Sequence, residues 1–244
     1  MARKRPQVPV PPWTQRDEVL RYTCHLAMLM GQGHDLGHLQ EVLAPFPPTN
    51  ARDERLLAAG PFVLSDFRAL GDGSWNVSTP FVFGTGALGV GLVAGSLVGG
   101  AVAKSRARNA AAANAVPRWV PIEQGTVYLS EYGFYLHTPR VLAWNWPSIT
   151  GATMAGPGLV HLTGDSQNGS VSWLLQSDWA ELVFVAWANA VHPRHPQFVT
   201  GQWLPPGWVE HARYHQRPPD PVPGMVPELP PEGDGSPQIS GPES

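Results

Sequence analysis

Residues 81–103 hold 23 consecutive positions without a charged side chain. Any fold of this chain must either bury that stretch or give it to lipid. As a helix it would reach roughly 34 Å, enough for the hydrocarbon core of a bilayer. Ala87, Gly91, Gly95, Gly99 and Ala103 recur within it at every fourth position. That is a glycine-zipper spacing, which lines one helix face with small residues and lets a second helix come close. These five are the candidate helix-association residues. Lys104, Arg106 and Arg108 follow directly. They are candidate contacts for anionic lipid, and a basic flank of this kind favours the cytoplasmic side. The run is also rich in glycine, which weakens a helix. A soluble fold could bury it as a core helix or a Gly-rich hairpin, so both readings stay open.

Charge and cysteine content narrow the function classes. The net charge is -3 with a pI near 6.3, so the chain lacks the global basic field of a nucleic-acid binder. Cys24 is the single cysteine, so no internal disulfide forms and no oxidising compartment is indicated. It reads as a small buried apolar residue. The start carries Arg3-Lys4-Arg5 followed by prolines rather than an apolar run, which is not a secretory signal pattern.

The remaining sequence divides by pattern. Residues 1–13 read as a disordered arm. Residues 14–50 form an N-terminal helical region. Thr14 and Asp17 make a capping box, and Val19, Leu20, Thr23, Leu26, Ala27 and Met30 follow at helical spacing. A second short helix is expected from Asp35 to Leu43. Residues 54–79 hold a first strand and loop, and 80–116 the Gly-rich apolar segment with its basic flank. From Arg118 the pattern changes to strands. Gly125–Ser130 and Phe134–His137 flank a tight turn at Glu131-Tyr132-Gly133, and Leu159–Thr163 pairs with Ser170–Leu175. Asp178 as N-cap and Glu181 three residues on predict a closing helix, with Trp179, Leu182, Val183, Ala186, Trp187 and Ala190 on its apolar stripe. Residues 204–244 contain 11 prolines and read as a Pro-rich disordered tail, with PxxP spacing at Pro218–Pro221 and Pro227–Pro230.

The block from Trp119 to Pro193 resembles the bacterial pleckstrin-homology-like and GRAM-like domains. The resemblance rests on Gly125-Thr-Val-Tyr-Leu-Ser, on Phe134-Tyr-Leu, on Trp144-Asn-Trp-Pro-Ser-Ile149, and on the closing helix with Trp179 and Trp187. It implies an α+β fold. A partly open antiparallel β-barrel over 118–193 would be closed by a C-terminal helix, accompanied by N-terminal helices and a long Gly-rich apolar helix. It also implies binding of lipid head groups, peptides or proteins rather than catalysis. The chain departs from inositide-binding members, because the Tyr132-Gly133 turn has no Lys or Arg and Arg140 stands alone. Trp144, Trp146, Trp173, Trp179 and Trp187 are expected in the core. Trp75 and Trp119 flank the apolar stretch and read either as packed residues or as interfacial anchors.

Catalytic and metal motifs are absent from the sequence. There is no P-loop, GxSxG, HExxH or CxxC, and Gly84–Gly89 matches GxGxxG only inside a Gly-rich run. His34 and His38 lie four apart but lack further ligands; with His25 and Asp35 they are the weak candidates for any enzyme site. The expectation is a non-enzymatic, membrane-associated binding or scaffold protein at the cytoplasmic face. It would have no cofactor, metal or nucleic acid, and membrane lipid, a protein or its own zipper would be the partner. The alternative is a cytoplasmic protein–protein interaction module with the apolar segment buried in its fold.

Overall fold

A computed structural model describes residues 10–69, 109, 115–166 and 169–220. Helix α1 spans Gln15–Gly31. Both halves of the capping box form at its start: the Thr14 amide donates to Asp17 Oδ2 at 2.8 Å, and the Asp17 amide to Thr14 Oγ1 at 3.3 Å. The helix buries Val19, Leu20, Thr23, Leu26 and Ala27 of the stripe read from the sequence, together with Cys24 and Leu29, while Met30 is half-buried. It stops where Gly33 takes φ +69, a left-handed value that favours glycine.

Seven strands follow: β1 (Leu56–Arg68), β2 (Arg118–Ser130), β3 (Gly133–His137), β4 (Val141–Asn145), β5 (Ile149–Gly156), β6 (Leu159–Ser166) and β7 (Gly169–Ser177). They form one antiparallel sheet in the order β4-β3-β2-β1-β7-β6-β5. The first strand thus joins two meanders, β2–β4 and β5–β7, by pairing with both β2 and β7. A short 3-10 turn, Trp146–Ser148, carries the chain from β4 to β5.

The expected β-barrel is not found. β4 and β5 are the two free edges of an open sheet and share no ladder. The sheet curls enough for Trp144 on β4 to meet Trp173 on β7 edge-to-face, with ring centroids 4.8 Å apart. Aromatic packing bridges the gap that backbone pairing would close in a barrel. A long apolar helix is likewise missing from the described fold. Among the described residues, no helix is long and apolar enough to cross a membrane. The transmembrane helix read into 81–103, with its zipper residues Ala87, Gly91, Gly95, Gly99 and Ala103, falls outside the described residues.

Helix α2 (Ala180–Val191) fills the curl. Every residue from Ala180 to Ala188 is buried, the signature of a helix covered on all sides. One side packs on β5, β6 and the 3-10 turn; the other packs on α1. The core between them includes Phe62, Leu64, Val127, Phe134, Leu136, Trp146, Ile149, Val160, Leu162 and Leu175. Trp187 is 3 % exposed, and its indole donates to the Ile149 carbonyl at 2.9 Å.

The opposite face of β1–β3 is covered by the chain between α1 and β1. Phe46 stands edge-on to Tyr128 at 5.2 Å, and Val42, Ala44 and Phe46 pack on Leu56, Tyr128 and Tyr135. The helix expected over Asp35–Leu43 is replaced by turns. The Asp35 carboxylate captures the Gly37 amide at 2.8 Å, and the Asp35 carbonyl is taken by His38. Asp is prone to this local bonding, which competes with helix formation.

α3 (Pro196–Val199) precedes the stretch read as a tail, and α4 (Trp208–Tyr214) lies inside it. Trp203 and Trp208 are buried at 1 % and 5 %. The Trp208 indole donates to Asp17 Oδ1 at 3.0 Å, which ties α4 to the first turn of α1. Trp13 stacks on His211 with centroids 5.6 Å apart, so the end of the N-terminal arm packs as well.

Candidate functional site

Three polar constellations stand out in the described residues, and two of them are spent on holding the fold. The first is the buried Glu54 carboxylate. It accepts from the Tyr135 and Ser130 hydroxyls and from the Asn50 amide at 2.8 Å. Ser130 Oγ also accepts from the Tyr132 and Gly133 amides, both at 3.1 Å, which closes the β2–β3 turn. Burial and the bond to Glu54 raise the Tyr135 pKa. Every group here locks the loop before β1 onto the sheet, and none is left to meet a substrate.

The second is a groove of about 850 Å³ beside Arg16, lined by residues of β1, β2 and β7 together with Gly158 and Asp178. Arg16 is its only charged donor among the lining residues, and its guanidinium is committed. It donates to the Asp178 carbonyl and to Glu181 Oε1, which also accepts from the Gly158 amide at 2.8 Å. Glu181 is fully buried, and burial raises its pKa against the pull of Arg16. Ser177 Oγ, at the same groove, donates to the Pro61 carbonyl at 2.8 Å and accepts from the Trp179 amide. The groove therefore holds no nucleophile with a base beside it.

The third is the outer end of the β1–β2 hairpin. The two strands pair from Leu56↔Ser130 to Arg68↔Arg118. β7 pairs with β1 only from Phe62 to Asp66, and β3 with β2 only from Thr126 to Leu129. β1 thus outruns β7 by Phe67 and Arg68, β2 extends past β3 from Gly125 back to Arg118, and a register shift falls at Leu64/Ser65. Phe67 faces Trp119 across this stem at 5.3 Å, and Trp119 stands edge-on to His161 at 5.4 Å. Phe67 is 54 % exposed, Trp119 36 % and Val116 61 %. Arg68 and Arg118 lie directly opposite each other, both exposed, and neither has an ion-pair partner among the described residues. Such a pair of like charges is unfavourable in isolation.

The candidates read from the sequence are distributed as follows. Lys104, Arg106 and Arg108 lie outside the described residues, as do the five zipper positions and Gly84–Gly89. His25 pairs with Asp220 at 2.8 Å, and His34 bonds Gln32 at 2.9 Å. With His38 held by the Asp35 backbone, the weak candidates are not brought together. Among the described residues, no group of three or more His, Cys, Asp or Glu side chains could hold a metal. Cys24 is fully buried, and burial pushes its thiol up to about 12. Glu181 was read as a helix cap, but its partner is Arg16 on another element. Phe67 and Arg68 were missed as site residues, because only the register shows them facing Trp119 and Arg118.

No family model, curated protein or solved structure matches the chain.

Proposed function

We propose that this chain is a non-enzymatic membrane-associated binding protein, and that the β1–β2 hairpin presents its uncharged stretch to lipid. The observation that carries the proposal is the stem. Residues 70–114, which contain the uncharged stretch, join Ala69 to Ala115 in sequence, and Arg68 and Arg118 beside these two ends are paired. Paired strands run about 5 Å apart, so both ends of the intervening sequence lie on one side of any bilayer it touches. A shallow or returning contact fits that arrangement; a single crossing does not. The stem also carries the residue types that favour the headgroup layer: exposed Phe and Trp with Arg beside them.

The polar clusters deeper in the fold support a non-catalytic reading, since Arg16, Ser130, Tyr135 and Ser177 each donate to structural bonds. The test is flotation of purified full-length protein with liposomes beside a variant lacking residues 81–103. Full-length protein should float and the deletion should stay at the bottom of the gradient. If full-length protein stays at the bottom too, the membrane reading fails and the alternative of a protein–protein interaction module is the one to test.

A further inference from the structure

Resting on that reading, we infer that the hairpin stem is an anionic-lipid contact in its own right, with Arg68 and Arg118 meeting headgroup phosphates and Phe67 and Trp119 seated at the headgroup–acyl boundary. The partner is a bilayer surface carrying negative lipid. Four observations converge on it. Strand register sets Arg68 and Arg118 opposite each other, and among the described residues neither has an ion-pair partner. The sequence from Lys104 to Ile122 holds Lys104, Arg106, Arg108 and Arg118 without one Asp or Glu. The Phe67–Trp119 pair is exposed, on the face of β1 opposite to the buried Phe62 and Leu64. Finally, Arg68 and Arg118 flank in sequence the stretch that contains residues 81–103, so both sit close along the chain to the segment proposed to meet lipid.

The physics assigns separate duties to the two residue types. An Arg near an anionic leaflet contributes about 1 kcal/mol, roughly fivefold in partitioning, and this falls with salt. The aromatic rings contribute apolar burial that salt does not screen. Arg is suited to the task because its planar fork can hold phosphate oxygens in pairs. The like-charge penalty across the ladder is relieved when phosphate sits between the two groups.

The experiment is co-sedimentation of the full chain with vesicles of phosphatidylcholine alone and with about 30 % phosphatidylglycerol, at low and high salt. Wild type is compared with Arg68→Gln/Arg118→Gln and with Phe67→Ala/Trp119→Ala. All four positions are exposed, so matching thermal melts will show that the fold is intact. On the anionic vesicles, the Arg variant should lose roughly 25-fold, two charges at about fivefold each, and the difference should vanish at high salt. The aromatic variant should weaken binding to both vesicle types at either salt. Unchanged binding of the Arg variant to anionic vesicles, with wild type bound to both, overturns the headgroup contact while leaving membrane association standing. Wild type bound to neither vesicle overturns both.

Discussion

Replacing Arg16 with Met should expose how strongly the fold depends on one ion pair. The Glu181 carboxylate is fully buried and accepts from Arg16 and the Gly158 amide through Oε1, while Oε2 has no partner. Removing the cation leaves a buried charge with a single amide donor. Breaking such a pair costs about 3–5 kcal/mol, and Arg16 is 24 % exposed, so the low end applies: about 3 kcal/mol near neutral pH. In a domain of this size, that is a melting shift of about 6–12 °C. The pH dependence follows from linkage. Burial raises the Glu181 pKa despite Arg16, so the native state holds this proton more tightly than the unfolded chain does. Stability from this group is complete below the ordinary glutamate pKa and is lost as pH rises through the raised native value. Without Arg16 the native value moves higher still, and the deficit at neutral pH deepens. Urea unfolding near pH 5 and near pH 8 should therefore show a larger penalty for Arg16→Met at the higher pH. Adding Glu181→Gln should recover stability, because it removes the stranded charge while keeping an acceptor for Gly158. Equal penalties at both pH values, or no recovery in the double variant, would refute the reasoning.

Other outcomes are expected elsewhere in the molecule. Burial pushes the Asp17 pKa up, but hydrogen bonds from Thr14 and Trp208 outweigh it and hold the carboxylate below its usual range. Trp208→Phe should cost about 1–2 kcal/mol near neutral pH, and the deficit should shrink as pH falls through that lowered value, measured by urea unfolding. Gln197 covers the free edge of β5 by accepting from the Met154 amide at 2.9 Å and donating to its carbonyl at 3.1 Å. Gln197→Leu should open that edge and promote self-association, visible by light scattering. The Cys24 thiol should resist a thiol reagent near pH 8 in the folded protein and react once urea unfolds it.

Local chemistry explains what could be read in advance. Thr14 and Asp17 form their capping box because both halves lie within four residues, and the apolar stripe of α1 follows from helical spacing alone. The hairpin at Tyr132-Gly133 announced itself through apolar runs either side of a Gly turn. Long-range partners were not legible. Glu181 sits at a helix start, where an acid is usually a cap, yet Arg16 binds it from 165 positions away. The resemblance that rests on Trp144-Asn-Trp-Pro-Ser-Ile predicted a barrel, but nothing in those residues decides whether β4 and β5 pair or stay apart with Trp144 against Trp173. The tail composition suggested an extended chain because prolines dominate it. Trp208 reverses that locally by burying its ring against Trp13 and bonding Asp17 of α1. The stem escaped notice because Arg68 and Arg118 are 50 positions apart, and only the strand register sets them face to face.

The central claim is that the chain associates with membranes through the sequence its hairpin presents. The most direct measurement is fractionation of cells expressing the full chain or the variant lacking residues 81–103, with the membrane pellet washed in carbonate. Full-length protein in the washed pellet, with the deletion variant in the supernatant, is the predicted result. Full-length protein recovered in the supernatant before any wash would contradict the account.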